Sequence, residues 1–350
     1  MPSRTINCCF SIFIHIFYLF LAYNVVLYTT KRMNKIVVVP SIREQSYNRW
    51  ISEWREILTK NNVKVILVED NPKRTFIPNY KNIEHYSWEE IDRELGEKKW
   101  IIPRRTAAIR SFGFYKAFQT NPDYVVTLDD DCYTTPQSEY YFQTHEKYLF
   151  GGLHKKHWIQ HSQGLRVRGV PEYLKPQYNV LNMGLWANVP DLDGETQKIN
   201  PNYRIVEQSF NFIVPAGSYA PISSMNLAVR TEVIPAFYFL LMGPSYPFDR
   251  FDDIWAGIFL IKIAHHLGYS VSGGEPFIWH DRASNADVNI KKEGSGKKVN
   301  EFLWKDINKI KLTKTSYKAC YKELASKLPR YDEYWNKQSI AMKTWLSLFE

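Results

Sequence analysis

Val125-Val126-Thr127-Leu128-Asp129-Asp130-Asp131-Cys132 is a short apolar β-type run that hands three successive carboxylates to the point where a parallel strand ends. Ligands of open α/β sheets gather at the carboxyl ends of the strands, and Asp129, Asp130 and Asp131 fall there. Three adjacent aspartates repel one another by roughly a few kcal/mol unless a cation or a set of donors neutralises them. Oxygen ligands of this kind suit Mg²⁺ or Mn²⁺, ions that commonly hold phosphate. The other reading is an acidic solvated turn, and the buried character of the preceding strand weighs against it.

Outward from this run the chain alternates. Residues 36–39 form a continuous β-branched segment ended by Pro40, the pattern of a strand buried on both faces. Trp50, Trp54, Ile57 and Leu58 share one face of a following helix. Residues 63–68 read as a second strand, stopped by Pro72 after Glu69-Asp70-Asn71. Trp88 to Leu95 reads as a short helix ended near Gly96, and residues 105–118 as another helix leading into the strand at 124–128. This rhythm predicts an α/β fold, a mainly parallel sheet flanked by helices with right-handed crossovers. Residues 133–217, rich in Gly, Pro, Asn and aromatics, read as long loops over an active site. Residues 254–267 form a buried helix ended by Gly268, and a helical C-terminal tail begins at about residue 300.

The 350 residues, 45% apolar and 15% aromatic, describe a globular enzyme rather than a disordered chain. A net charge of +9 fits an anionic ligand such as a nucleotide. No basic, aromatic-interleaved stretch supports nucleic acid binding. The four cysteines, Cys8, Cys9, Cys132 and Cys320, have neither disulfide-framework nor zinc spacing, which fits a reducing compartment. Residues 5–30 carry no formal charge and are long enough to span a bilayer, so residues 8–28 are a candidate membrane tether. Arg4, Lys31, Arg32 and Lys35 flank it, and the positive-inside bias keeps the catalytic body cytoplasmic. Met33 is the rival start, since Met33-Asn34-Lys35-Ile36 opens directly on the first strand. Segment 1–32 is therefore set apart from a single catalytic domain over 33–350.

The same rim of the sheet collects further chemistry. Arg43, after the first strand, and Asp70, at the end of the second, are placed to contact the base and ribose of a nucleotide; rim salt bridging is the plainer alternative. Arg104, Arg105 and Arg110 precede or enter the helix before the aspartates. Arginine forks clamp phosphate, whereas Arg104 reads as a solvated position. Asp249-Arg250-Phe251-Asp252-Asp253-Ile254-Trp255 places carboxylates at or just before a helix start. One of them suffices as a cap, and Asp252 and Asp253 are candidates for holding sugar hydroxyls or serving as a base. His280 closes the run Pro276-Phe277-Ile278-Trp279 and is a candidate metal or phosphate contact beside Asp129 and Asp131; a satisfied structural histidine is the plainer alternative. Lys291 and Lys292 read as solvated charges. No nucleophile elbow, P-loop or dinucleotide fingerprint occurs, so flavin and NAD chemistry have no support.

Assembled, these segments resemble the family of plant UDP-arabinopyranose mutases, or reversibly glycosylated polypeptides, with a glycosyltransferase-A type core. The resemblance runs from about Ile36 to the C-terminus. It is carried by Val39-Pro40-Ser41-Ile42-Arg43, Ala108-Ile109-Arg110-Ser111-Phe112-Gly113, the aspartate run, Val167-Arg168-Gly169-Val170-Pro171, residues 184–191, Met225-Asn226-Leu227-Ala228, residues 251–257 and Ile278-Trp279-His280. It implies a UDP-sugar held through Mn²⁺ or Mg²⁺, interconversion of the pyranose and furanose forms of UDP-arabinose, self-glycosylation at Arg168, and homo- or hetero-oligomers. Arg43, Asp70, Arg110 and Asp130 then bind the nucleotide sugar, Asp129, Asp131 and His280 the metal, and Arg168, Asp252 and Asp253 the reacting sugar. The chain departs from the family at Lys175, where a second arginine is usual. It departs again at Asn182-Met183 in place of Ser-His and at Ser223-Ser224 in place of Cys-Gly. A metal-dependent glycosyltransferase acting on a glycan acceptor is the alternative enzyme, and a scaffold subunit of a hetero-oligomer the non-enzymatic one.

Overall fold

The computed structural model describes residues 33–151, 154–155, 158–159, 168–169, 178–206, 210–281 and 285–350. The hydrophobic segment 1–32, and with it the candidate tether, lies outside them. No helix among the described residues is long and apolar enough to cross a membrane.

The strands are β1 (Lys35–Ser41), β2 (Lys64–Glu69), β3 (Ile83–Tyr86), β4 (Tyr124–Leu128), β5 (Cys132–Tyr133), β6 (His154–Lys155), β7 (Trp158–Ile159), β8 (Asn179–Asn188), β9 (Phe212–Ile213), β10 (Asn226–Arg230) and β11 (Ser270–His280). The helices are α1 (Glu44–Lys60), α2 (Trp88–Leu95), α3 (Arg110–Gln119), α4 (Tyr141–Phe150), α5 (Gly194–Ile199), α6 (Asp252–His266), α7 (Ala286–Lys309), α8 (Tyr317–Lys327) and α9 (Glu333–Leu346). One sheet runs in the order β3-β2-β1-β4-β10-β8-β11-β5, with β9 added to β11; β6 and β7 form a separate pair. Pairing is parallel from β3 through β4 and again between β8 and β11, with β10 antiparallel between the two blocks.

The parallel block has the continuous apolar strands that double-sided burial demands: every residue of β4 is buried, as are Ile36 to Val39 of β1. Helix α1 turns Tyr47, Trp50, Ile51, Trp54 and Leu58 inward. Full burial of each such side chain contributes about 1.5–3 kcal/mol. Trp54 Nε1 also donates to Cys132 O at 2.9 Å, tying α1 to the backbone just beyond the aspartates. Helix α2 begins at a capping box in which Ser87 and Glu90 satisfy each other's backbone amides, and it ends at Gly96 with φ 52°. Helix α3 packs on β1 and β2, α4 on β8 and β11, and α6 on β11, α7 and α8.

Three expectations are corrected. The described residues of 133–217 are not mainly loop: they supply α4 and the ten-residue strand β8, whose first six residues are buried inside the sheet. The helix expected from residue 105 starts at Arg110, after a short 3₁₀ turn at Ala107–Ile109 capped by Thr106 Oγ1. Arg105, at φ 59°, cannot lie in a right-handed helix. The helical tail begins at Ala286 rather than near residue 300.

Candidate active site

Strand ends bring the predicted residues to one rim, and each aspartate of the run finds different company. Asp129 accepts from Arg110 Nη2 at 2.7 Å. Arg110 is 2% exposed and also reaches Ala107 O, Thr127 Oγ1 and Ser224 O, at 3.0, 3.1 and 2.7 Å. It is an inward-facing organiser that neutralises the base of the run, not an outward clamp. Asp130 is buried between Ser41 Oγ at 2.6 Å and Arg43 Nη2 at 2.5 Å. Burial raises its pKa, and the bonds from Arg43 and Ser41 oppose the rise. The end of β1 is thereby locked to the end of β4.

Asp131 faces His280. The His280 Nδ1–H donates to Val189 O at 2.7 Å, which directs Nε2 toward Asp131 Oδ1, 4.0 Å away. That separation is too long for a hydrogen bond and leaves room for a cation between the two groups. An imidazole whose other nitrogen is fixed by a carbonyl is also the arrangement usual for a metal-ligating histidine. Among the described residues no three His, Cys, Asp or Glu side chains close into a metal cage. Asp131 and His280 thus fit Mg²⁺ or Mn²⁺ as a partial shell, the kind that such ions complete with water and substrate phosphate.

Asp70 is held by Trp88 Nε1 at 2.7 Å and by the Arg105 backbone amide, and burial raises its pKa. Arg104, expected to be solvated, pairs with Asp92 at 2.6 Å. Arg43, by contrast, keeps 43% of its side chain exposed beside Asp130 and Asp131 and is a cation of the rim open to a ligand.

Asp252 and Asp253 are the first two residues of α6, with Phe251 at the cap position, and Asp253 Oδ1 accepts the first-turn amide of Ile254 at 2.8 Å. Asp253 Oδ2 accepts from both the amide and the hydroxyl of Ser224, at 2.9 and 2.8 Å. Asp252 is 3% exposed and its Oδ2 has no hydrogen-bonding partner. Burial, with repulsion from Asp253, pushes Asp252 up to about 7, and burial raises Asp253 as well. Each carboxyl thus disfavours the charge of the other, and Asp252, the more deeply buried, is the one that keeps its proton more readily. Arg168 is an exposed turn residue, and the neighbours that would relate it to the rim lie outside the described residues. Lys292 pairs with Asp249 at 3.3 Å.

Residue-by-residue reading missed Asp191, which lies beside the same group. Its Oδ2 accepts from Ser223 Oγ at 2.8 Å, and the charges of His280, Asp129 and Arg250 act on it. The available signal was position: Asp191 closes the segment that follows β8. Asn188 and Arg250, near this corner, have φ of 67° and 69°, a backbone arrangement that clusters at ligand sites.

An acidic, arginine-braced rim thus lies at the strand ends of a mixed, mainly parallel α/β sheet, the place where ligands of such sheets collect. The sequence profile described as reversibly glycosylated polypeptide matches residues 31–144 and 160–350. The chain belongs to that family. A probable UDP-arabinopyranose mutase 1 of Pisum sativum is 33% identical, with 90% of each chain covered. The UDP-arabinopyranose mutase 1 of Arabidopsis thaliana is 32% identical over 90% of this chain and 91% of its own. Among solved structures, a mycobacterial protein aligns over 73% of this chain and 70% of its own, at 14% identity and a TM-score of 0.36.

Proposed function

We propose that this chain is a UDP-sugar mutase that interconverts the pyranose and furanose forms of UDP-arabinose or a related UDP-sugar, with Arg168 reversibly carrying the sugar. The observation that carries the reading is the Asp131–His280 pair. It sits 4.0 Å apart with His280 oriented by Val189, on the rim that also holds Arg43, in a chain whose relatives bear the mutase name.

Asp131 and His280 would hold Mg²⁺ or Mn²⁺, which when bound neutralises a diphosphate and makes UDP a better leaving group. Arg43 is placed to meet the remaining anionic oxygen, steadied by Asp130. Arg110 keeps Asp129 paired, so the rim carries less negative charge than three free carboxylates would. Ring opening and reclosure need one hydroxyl to lose a proton and another oxygen to gain one. Asp252, pushed up to about 7 by burial and by Asp253 beside it, would be suited to that exchange. Arg168, exposed in its turn, would bond through a guanidinium nitrogen to the anomeric carbon, giving up a proton as the carbon–oxygen bond to UDP breaks, and would regain that proton when UDP recaptures the sugar.

The test is incubation of the purified chain with UDP-arabinopyranose and Mn²⁺ in the absence of any acceptor, followed by chromatography of the nucleotide sugars. Appearance of the furanose isomer is the expected result. Consumption of donor only when a glycan acceptor is added would instead make the protein a transferase.

A further inference from the structure

Strands β8 and β11 are fastened where they meet the rim. Asn188 Nδ2 and Val189 N donate to His280 O at 2.9 and 3.3 Å, and His280 Nδ1 returns a bond to Val189 O at 2.7 Å. Pro190 fixes the backbone at the next step, and Asp191 follows it, near enough to His280 for the two to interact electrostatically. There Ser223 Oγ holds one carboxylate oxygen at 2.8 Å. The following residue, Ser224, holds Asp253 through two bonds at 2.9 and 2.8 Å. A single dipeptide thus aims two carboxylates that come from different elements of the fold.

Asp191 is open to solvent on one side and crowded by protein on the others, which raises its pKa although the surface reaches it. A carboxylate accepts hydrogen bonds and repels anions, so the diphosphate of a nucleotide sugar is the wrong partner for it. The neutral sugar ring, with its donating hydroxyls, is the right one. We propose that Asp191, aimed by Ser223, is a specificity-determining residue that accepts hydrogen bonds from hydroxyls of the bound sugar. This rests on the nucleotide-sugar reading above and adds the group that reads the sugar.

Calorimetry with the full-length chain in Mn²⁺ tests it, using UDP, UDP-arabinopyranose and its C4 epimer UDP-xylose as probes. For Asp191→Asn, affinity for UDP should stay as in the wild type. Affinity for UDP-arabinopyranose should fall about tenfold, and the preference between the two epimers should shrink. Ser223→Ala should weaken the UDP-sugar by about threefold and Ser223→Thr should restore it, because Ser223 acts only by aiming Asp191. Unchanged UDP-sugar affinity in Asp191→Asn overturns the inference. So does an equal loss for UDP, which would place Asp191 at the diphosphate or its cation. If the wild type binds UDP-sugars without isomerising them, the mutase reading falls while the Asp191 comparison still decides this one. If it binds neither UDP nor UDP-sugars, both fall.

Discussion

Arg110 Nη2 lies 2.7 Å from Asp129 Oδ1, and the guanidinium that makes this contact is 2% exposed. The first carboxylate of the aspartate run is thus neutralised from inside the protein. Arg110→Lys keeps the charge but loses the fork that also serves Ala107 O, Thr127 Oγ1 and Ser224 O. We expect a loss of about 2–4 kcal/mol in denaturant unfolding, because a buried cation is left short of its hydrogen bonds. Wild-type stability in this variant would remove Arg110 from its organising role.

Asp131 and His280 make a second, separable prediction. Asp131→Asn and His280→Ala should each cut Mn²⁺-dependent UDP affinity by about 10–100-fold, leaving metal-free binding near its wild-type value. Calorimetry with and without Mn²⁺ checks this, and two variants that bind the Mn²⁺–UDP pair normally would place the ion elsewhere.

Asp252 predicts a pH dependence of stability. Its pKa is pushed up to about 7 in the folded protein, above the ordinary aspartate value, so between about pH 4 and pH 7 the folded state holds a proton that the unfolded state has released. The stabilisation is complete at low pH and is lost as pH rises through 7. Asp252→Asn should flatten that decline, and the variant should gain on the wild type as pH rises. Denaturant melts at pH 5, 6, 7 and 8 measure the difference, and parallel curves would refute the assignment.

Gly113 sits where α3 crosses β1. A Cβ there would overlap Val38 Cγ1 and approach Val68 Cγ2 to 3.0 Å. Gly113→Ala gains helix propensity of about 1 kcal/mol, but overpacking costs about 1–3 kcal/mol and should win. Because α3 carries Arg110, thermal stability and UDP-sugar turnover should fall together. A more stable, fully active variant would show that the contact yields.

Arg168→Lys should abolish covalent attachment of sugar while UDP binding survives. Intact-mass spectrometry after incubation with UDP-arabinopyranose reads this directly, and an unchanged sugar adduct on the variant would move the attachment site.

Where burial on both faces writes an unbroken apolar run, the sequence is legible. β4 falls on its expected bounds, and α2 is marked at both ends, by Ser87 with Glu90 and by Gly96. β8 was hidden because its buried residues include Asn179, Asn182 and Gly184, which mimic a loop until their partners are known. Asn182 bonds His145, Glu275 O and Ser272, contacts far away in sequence. The rim was legible as a set of strand ends but not as a set of pairs. Nothing local says that Arg110 points inward, that Asp130 is claimed by Ser41 and Arg43, or that Asp191 belongs beside His280. Two departures from the family pattern also meet in space, for Ser223 N lies 3.2 Å from Met183 Sδ.

The fastening of Val189 to His280 joins residues 91 positions apart. On a ribosome the aspartate run emerges long before the imidazole opposite it, so the corner that would grip a cation stays unfinished until nearly four-fifths of the chain has been made. A nascent chain halted before that histidine would have its parallel block and lack one side of the corner, which makes closure of the rim a late event of biosynthesis.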